Sequence, residues 1–340
     1  MINYKSELFR SVTIGGYRLS FEYDYLLKSC NDLERRFLLP FSTSTQNISQ
    51  ENTVYRIIVH TVTCDYRNSY DFEKIFSIIE NRYPRYCRTA MHRSLSHARY
   101  FLAAIEMYAA GYLADVFNNH RMNYTVKPHI FIVHEQGSRE LTVFLHELDH
   151  DNADATIHLD LVQLLIQMIL EDTGAGILLH ASSVCVEQKG FLFLGESGVG
   201  KSTIARLLAP NETFSDDMSL VILKDKKPYL YSTPWWSMEN TSSYTITQNG
   251  PIPLQHMMFL KQASVTCFEP LGMKATLEQC IYDKPAGQSI FYVMPSLAVR
   301  RTYETLTAIV SNIRCGTLKF RMHPFLRHEF ERIINADDNW

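Results

Sequence analysis

Residues 191–208 read FLFLGESGVGKSTIARLL: an apolar run, a glycine-rich turn and a run with helical spacing, in immediate succession. Within them Gly195, Gly200, Lys201 and Ser202 fit the pattern G-x-x-x-x-G-K-[ST], and Gly198 adds a third flexible position. Successive backbone N–H groups can point inward around such a turn only where glycines permit the angles and the close approach. The turn must also lie between a strand and a helix, so that the partial positive end of the helix faces the same point. A chain carrying this stretch is therefore expected to build an α/β sheet around the strand FLFL.

What such a turn holds is an anion, and the lysine and hydroxyl at its end specify a nucleotide polyphosphate. Gly195, Ser197, Gly198, Val199, Gly200, Lys201, Ser202 and Thr203 are the expected nucleotide-binding residues. Lys201 is expected to reach the β- and γ-phosphates, and the Ser202 hydroxyl to ligate Mg²⁺, so ATP and Mg²⁺ are the expected cofactors. Beyond the helix comes FSDDM, which sets Asp216 and Asp217 side by side just before the strand-like SLVIL. In an α/β sheet ligands bind at strand ends. Phosphoryl transfer leaves the protein two tasks beyond positioning, holding the metal and accepting a proton, and two carboxylates suit them.

The rest of the chain sorts around this centre. Upstream, Val54–Val62 and His129–Val133 read as strands, and STSTQNISQENT reads as a loop. The run IHLDLVQLLIQMILED reads as a helix ending at Gly174 and Gly176. ILLHASSVCV and FLFLG read as two strands joined by the polar turn EQKG. NETFSDD reads as a loop, MSLVILKD and HMMFLKQ as strands, Pro295–Ile313 as a helix and GTLKFRM as a closing strand. The expected organisation is a smaller α+β domain over residues 1–152, for substrate recognition or subunit contact, and an α/β P-loop domain over 153–340.

Composition excludes several classes. With 33 Lys plus Arg against 36 Asp plus Glu, the net charge of -3 gives no electrostatic reason for a nucleic-acid or anionic-membrane partner. The seven cysteines are scattered and form no C-x-x-C pair, which argues against a disulfide framework or a cysteine zinc site. With no signal-like apolar core and no long uncharged apolar run, the expected location is the cytoplasm. The longest apolar candidate, FLAAIEMYAAGYLA from Phe101, carries Glu106 and reads as a buried element.

The order LLHASSV, FLFLGESGVGKST, FSDDMSLVILKD resembles the catalytic domain of the HPr kinase/phosphorylase family, which includes kinase-like proteins of peptide biosynthesis clusters and, more distantly, phosphoenolpyruvate carboxykinases. The resemblance covers roughly residues 174–323. It implies a kinase that transfers the γ-phosphate of ATP to a hydroxyl-bearing acceptor: a peptide or protein serine, or a small molecule. By carry-over Asp216 is the general base, Asp217 its partner at the metal, Ser202 the Mg²⁺ ligand, and His180 and Lys201 further catalytic residues. A homo-oligomer is among its implications. Bacterial members follow the aspartates with a glutamate-arginine-glycine signature. This chain reads YSTPWWSMEN instead, with Glu239 alone nearby. That stretch is closer to the T-P-aromatic segment of the kinase-like relatives, whose substrates include the C-terminal serine of a ribosomally made peptide. Trp235 and Trp236 are read either as the wall of an acceptor groove or as core, and Arg300 and Arg301 either as charge-neutralising groups or as solvated ones.

Two rival readings remain. HELDH, His146 to His150, matches the zinc-protease pattern H-E-x-x-H, and Glu171 lies 21 residues further on. Zinc binding would require a continuous helix through the motif. The lead-in ELTVFL is strand-like, and Asp149, Asp151, Asn152 and Asp154 compete for backbone hydrogen bonds, so this reading is the weaker. The other rival is a nucleotide-binding sensor or assembly factor that transfers nothing. It would need the loop and the metal but no base.

Overall fold

The structure is a computed structural model, and it describes residues 11–23, 38, 41, 53–62, 130–134, 138–146, 157–208, 213–236, 251–282, 296–321, 323 and 326–337. The run from Phe101, the expected boundary at 152/153, the HELDH residues after His146, and Glu239 lie outside these. The chain divides into two compact units, one built mainly from residues before Ile169 and the other mainly from those after it.

The first unit contains a five-stranded sheet in the order β1-β2-β3-β5-β4, formed by β1 (Ser11–Ile14), β2 (Tyr17–Tyr23), β3 (Thr53–Val62), β4 (Ile130–His134) and β5 (Glu140–His146). β1 and β2 form a hairpin over Gly15 and Gly16, both at positive φ (59° and 82°). β2, β3 and β5 run parallel, and β4 closes the sheet antiparallel to β5. Alternation decides the faces: Leu19, Phe21, Tyr55, Ile57, Val59, Leu141 and Val143 are buried. On the other face Arg56 bridges Glu22 at 2.6 Å and Glu140 at 2.8 Å, tying three adjacent strands. His146, the first residue of HELDH, ends β5, so the motif does not begin on the helix that zinc binding requires.

Helix α1 (Ile157–Thr173) follows, and the division between the units falls within it. It stops where the sequence predicts, because Gly174 takes φ 64° and its N–H donates to the Leu170 carbonyl at 2.8 Å.

The second unit is a mixed α/β structure around a nine-stranded sheet. Its strands are β6 (Gly176–His180), β7 (Ser182–Val186), β8 (Lys189–Leu194), β9 (Thr213–Ser215), β10 (Met218–Lys224), β11 (Lys227–Tyr231), β12 (Ile252–Gln262), β13 (Cys267–Pro270) and β14 (Arg314–Phe320). The path runs β6-β10-β11-β12-β8-β7-β9, with β14 also alongside β12 and β13 beside β14. The helices are α2 (Lys201–Leu208), α3 (Met273–Tyr282), α4 (Ser296–Val310) and α5 (Leu326–Asp337).

β8 explains why FLFL is an unbroken apolar run. Phe191 and Phe193 pack with Ile204 and Leu208 of α2 and with Leu326 and Phe330 of α5. Leu192 and Leu194 point the other way, into a core shared with Leu277 of α3, Leu306 and Ile309 of α4, and Leu179 and Val221. Each such fully buried side chain contributes on the order of 1.5–3 kcal/mol. A strand covered on both faces has no polar positions to alternate.

Three expectations are corrected. ILLHASSVCV is two strands: at Ala181 the chain leaves β10, which β6 pairs, for β8 and β9, which β7 pairs. NETFSDD contains β9, because Ser215 and Thr213 find partners on β7. GTLKFRM does not close the chain, since α5 follows and buries Phe330 and Ile334.

Candidate functional site

The turn between β8 and α2 adopts the conformations its glycines allow: φ is 150° at Gly195, 81° at Gly198 and 112° at Gly200. Glu196, Ser197 and Gly198 face solvent, while Val199, Gly200, Ser202 and Thr203 are half-buried. Val199 N–H closes the turn on the Glu196 carbonyl at 3.2 Å, and Ile204 N–H begins the helix on the Gly200 carbonyl at 2.9 Å. Two side chains from elsewhere brace it. Ser182 donates to the Lys201 carbonyl at 2.9 Å, and the Gln262 amide donates to the Val199 carbonyl at 3.2 Å.

Lys201 is 7% exposed, and its ammonium donates to the carbonyls of Gly195 (2.9 Å) and Glu196 (3.3 Å). Burial pushes its pKa below the usual lysine range, and the nearby Asp217 carboxylate opposes that shift. The cation thus sits across the mouth of the turn, at the N-terminus of α2, where an anion would be bound by N–H groups, helix end and ammonium together.

His180 ends β6, and the β9–β10 turn carries the two aspartates beside it, because Met218 pairs with His180 and Ala181 N–H donates to the Asp217 carbonyl at 2.9 Å. His180 Nδ1 lies 3.2 Å from Asp217 Oδ1. Burial is the main force on the imidazole and lowers its pKa. Asp217 works against it and Lys201 with it. Asp217, Lys201 and His180 therefore share one electrostatic neighbourhood. The two aspartates differ in access: Asp216 is 2% exposed, whereas the Asp217 side chain is 41% exposed.

The donors gathered here are oxygens: the open Asp217 carboxylate, and the hydroxyl of Ser202, which donates to the backbone carbonyl of Asp216 at 3.4 Å. That set suits a hard ion such as Mg²⁺, which binds few protein ligands and takes the rest from water and phosphate. Among the described residues there is no group of three or more His, Cys, Asp or Glu that would hold a metal by itself.

Other residues singled out in the sequence go elsewhere. Trp235 and Trp236 are 5% and 7% exposed, so they are core rather than the wall of a groove. Arg300 pairs with Glu304 one turn along α4 at 2.8 Å, and Arg301 donates to the Asp172 carbonyl at 2.5 Å. Neither of these contacts is with the phosphate loop. Sequence reasoning missed Ser182, Ser215, Thr233 and Gln262. Ser182 and Gln262 carry no motif, and Ser215 and Thr233 lie within FSDDM and YSTPWW without being singled out there. Strand pairing brings Ser182, Ser215 and Gln262 to the site, and hydrogen bonds to the Phe214 and Met218 carbonyls bring Thr233.

A family model described as "SynChlorMet cassette protein ScmC" matches residues 144–288. Among solved structures, the HPr(Ser) kinase/phosphatase from Coxiella burnetii is similar at 11% identity and a TM-score of 0.27, over 48% of this chain and 96% of that one. No curated protein matches the chain. Among the described residues no helix is long and apolar enough to cross a membrane.

Proposed function

We propose that the chain is an ATP- and Mg²⁺-dependent phosphotransferase that moves the γ-phosphate to a hydroxyl group, a peptide or protein serine being the favoured acceptor. One observation carries the reading: the glycine turn with its buried Lys201, the Ser202 hydroxyl, and the Asp217–His180 pair at 3.2 Å occupy one neighbourhood. A turn that only bound a nucleotide would need the first two and not the third.

In this reading the loop amides and Lys201 hold the β- and γ-phosphates, which requires the ammonium to exchange the Gly195 and Glu196 carbonyls for phosphate oxygens. Mg²⁺, when bound through Ser202 and an aspartate, supplies neutralisation of charge on the phosphates. The acceptor oxygen forms the new P–O bond, the bond from the γ-phosphorus to the bridging oxygen breaks, and ADP leaves. The acceptor proton passes to a carboxylate. Of the two, Asp217 has the open face and His180 beside it, so it is better disposed to receive that proton than the buried Asp216.

The test pairs binding with transfer. Lys201→Ala should weaken ATP·Mg²⁺ binding and abolish turnover in a calorimetric and kinetic comparison. Asp217→Asn should cost about 10² to 10⁴ in rate, the usual loss for a missing general base, with nucleotide affinity kept within a few fold. Because the matching family is described as a cassette protein, the acceptor panel includes products of the neighbouring genes. Tight ATP binding without transfer to any acceptor would instead favour a nucleotide sensor. A loss in Asp216→Asn alone would move the base to Asp216.

A further inference from the structure

The turn that carries the aspartates is gripped from outside its own strands. Thr233 N–H donates to the Phe214 carbonyl at 3.2 Å and the Thr233 hydroxyl to the Met218 carbonyl at 2.6 Å. One residue thus holds the chain on both sides of Asp216 and Asp217. Ser215 adds a second grip: its hydroxyl donates to the Trp235 carbonyl at 2.9 Å and accepts the Asp217 N–H at 3.2 Å. The segment is closed on itself by the Trp236 indole, which donates to the Thr233 carbonyl at 2.8 Å. Ser215 and Thr233 are fully buried, and both tryptophans nearly so.

Burial makes these bonds consequential, since a hydroxyl removed there leaves backbone groups unsatisfied in a dry interior. The arrangement fixes the backbone of the pair while leaving the Asp217 carboxylate open toward His180. That is what a reacting carboxylate needs, because a site 1 Å too loose loses most of its effect. We propose that residues 233–236 are a strap that holds the aspartate pair at the metal and acceptor side of the phosphate loop, with Ser215 and Thr233 as positioning residues. This rests on the phosphotransfer reading above.

The test needs no acceptor. Mn²⁺ replaces Mg²⁺, ADP occupies the loop, and electron paramagnetic resonance reads Mn²⁺ binding, while ADP affinity without metal is titrated separately. Ser215→Ala and Thr233→Val should weaken Mn²⁺ binding to the ADP-loaded protein by about tenfold or more, the usual cost of losing a group that orients a metal ligand. ADP affinity without metal should stay within twofold, and Thr233→Ser, which keeps the hydroxyl, should restore the Mn²⁺ affinity. Wild-type Mn²⁺ affinity in both folded variants would overturn the strap. So would an equal loss of metal-free ADP binding, or failure of Ser215→Ala and Thr233→Val alike to fold, since the segment would then hold the fold and not the pair. If the wild-type protein binds no ADP with or without Mn²⁺, the phosphate-loop reading itself falls and the strap with it.

Discussion

At the scale of single residues, burial decides what each reactive group can do. Cys315 on β14 shows it away from the site: burial pushes its pKa up to about 11, with a hydrogen bond involving Thr276 only partly opposing the shift. Only the thiolate attacks an alkylating agent, so at pH 8 this cysteine is held in its inert form. Cys185 and Cys280 are buried as well, whereas Cys267 is half-buried. Iodoacetamide treatment of the folded protein at pH 8, followed by peptide mass mapping, should therefore label Cys267 well ahead of Cys185, Cys280 and Cys315. Denaturant should abolish the difference. Labelling of Cys315 at the rate of Cys267 would contradict the packing of β14 against α3. The same physics acts on Lys201 and His180, where burial disfavours the charged form and a neighbouring carboxylate opposes it.

Among elements, two hairpin turns at the ends of their strands away from the site carry a local cost that packing offsets. Between β7 and β8 the turn residues Glu187 and Gln188 take φ 51° and 63°, and between β10 and β11 Asp225 and Lys226 take 49° and 64°. Positive φ at both central positions is the two-residue hairpin turn whose twist matches its strands, and asparagine and glycine are the residues that adopt it without strain. The chain uses neither at these four positions. Replacing Gln188 by glycine should stabilise the protein by about 0.5–1 kcal/mol, the left-handed penalty less the entropy of the freer unfolded chain. Chemical denaturation of Gln188→Gly against wild type reads this directly, and a destabilised variant would mean that the Gln188 side chain contributes packing worth more than the strain. The Gln188 turn lies at the end of β8 opposite the phosphate loop, so nucleotide affinity should be unchanged.

For the whole molecule, ligand binding and folding are one equilibrium. A nucleotide that binds only the folded chain adds RT ln(1 + [L]/Kd), about 2.7 kcal/mol at a hundredfold excess over Kd. ATP·Mg²⁺ at that level should shift the denaturation midpoint of the wild-type protein accordingly, and the shift should vanish in Lys201→Ala. An equal shift in both proteins would place the nucleotide somewhere other than the loop. HELDH belongs to this scale too, since its first histidine ends β5 and its reading as a zinc site demands a different local fold. Elemental analysis of the purified chain should find zinc well below one equivalent, and a full equivalent lost in Glu147→Gln or His146→Ala would reverse that conclusion.

The sequence alone determined what depends on neighbours along the chain. The glycines at 195, 198 and 200, the apolar strand before them and the helix after them specify the turn, because backbone freedom and periodicity are local properties. The stop of α1 at Gly174 and the strand SLVIL are legible for the same reason. Tertiary structure decided what depends on neighbours across the sheet. Nothing in LLHASSV says that the chain changes partners at Ala181, or that β6 pairs with β10, which is what brings His180 against Asp217. Nor does FSDDM say which aspartate is open; in the folded chain Asp216 is buried and Asp217 is not. The tryptophans of YSTPWW read equally as groove or core until burial assigns them to the core. Strand pairing joins residues far apart in the chain through backbone groups that every residue shares, so it leaves no mark on side-chain identity from which the contact could be read.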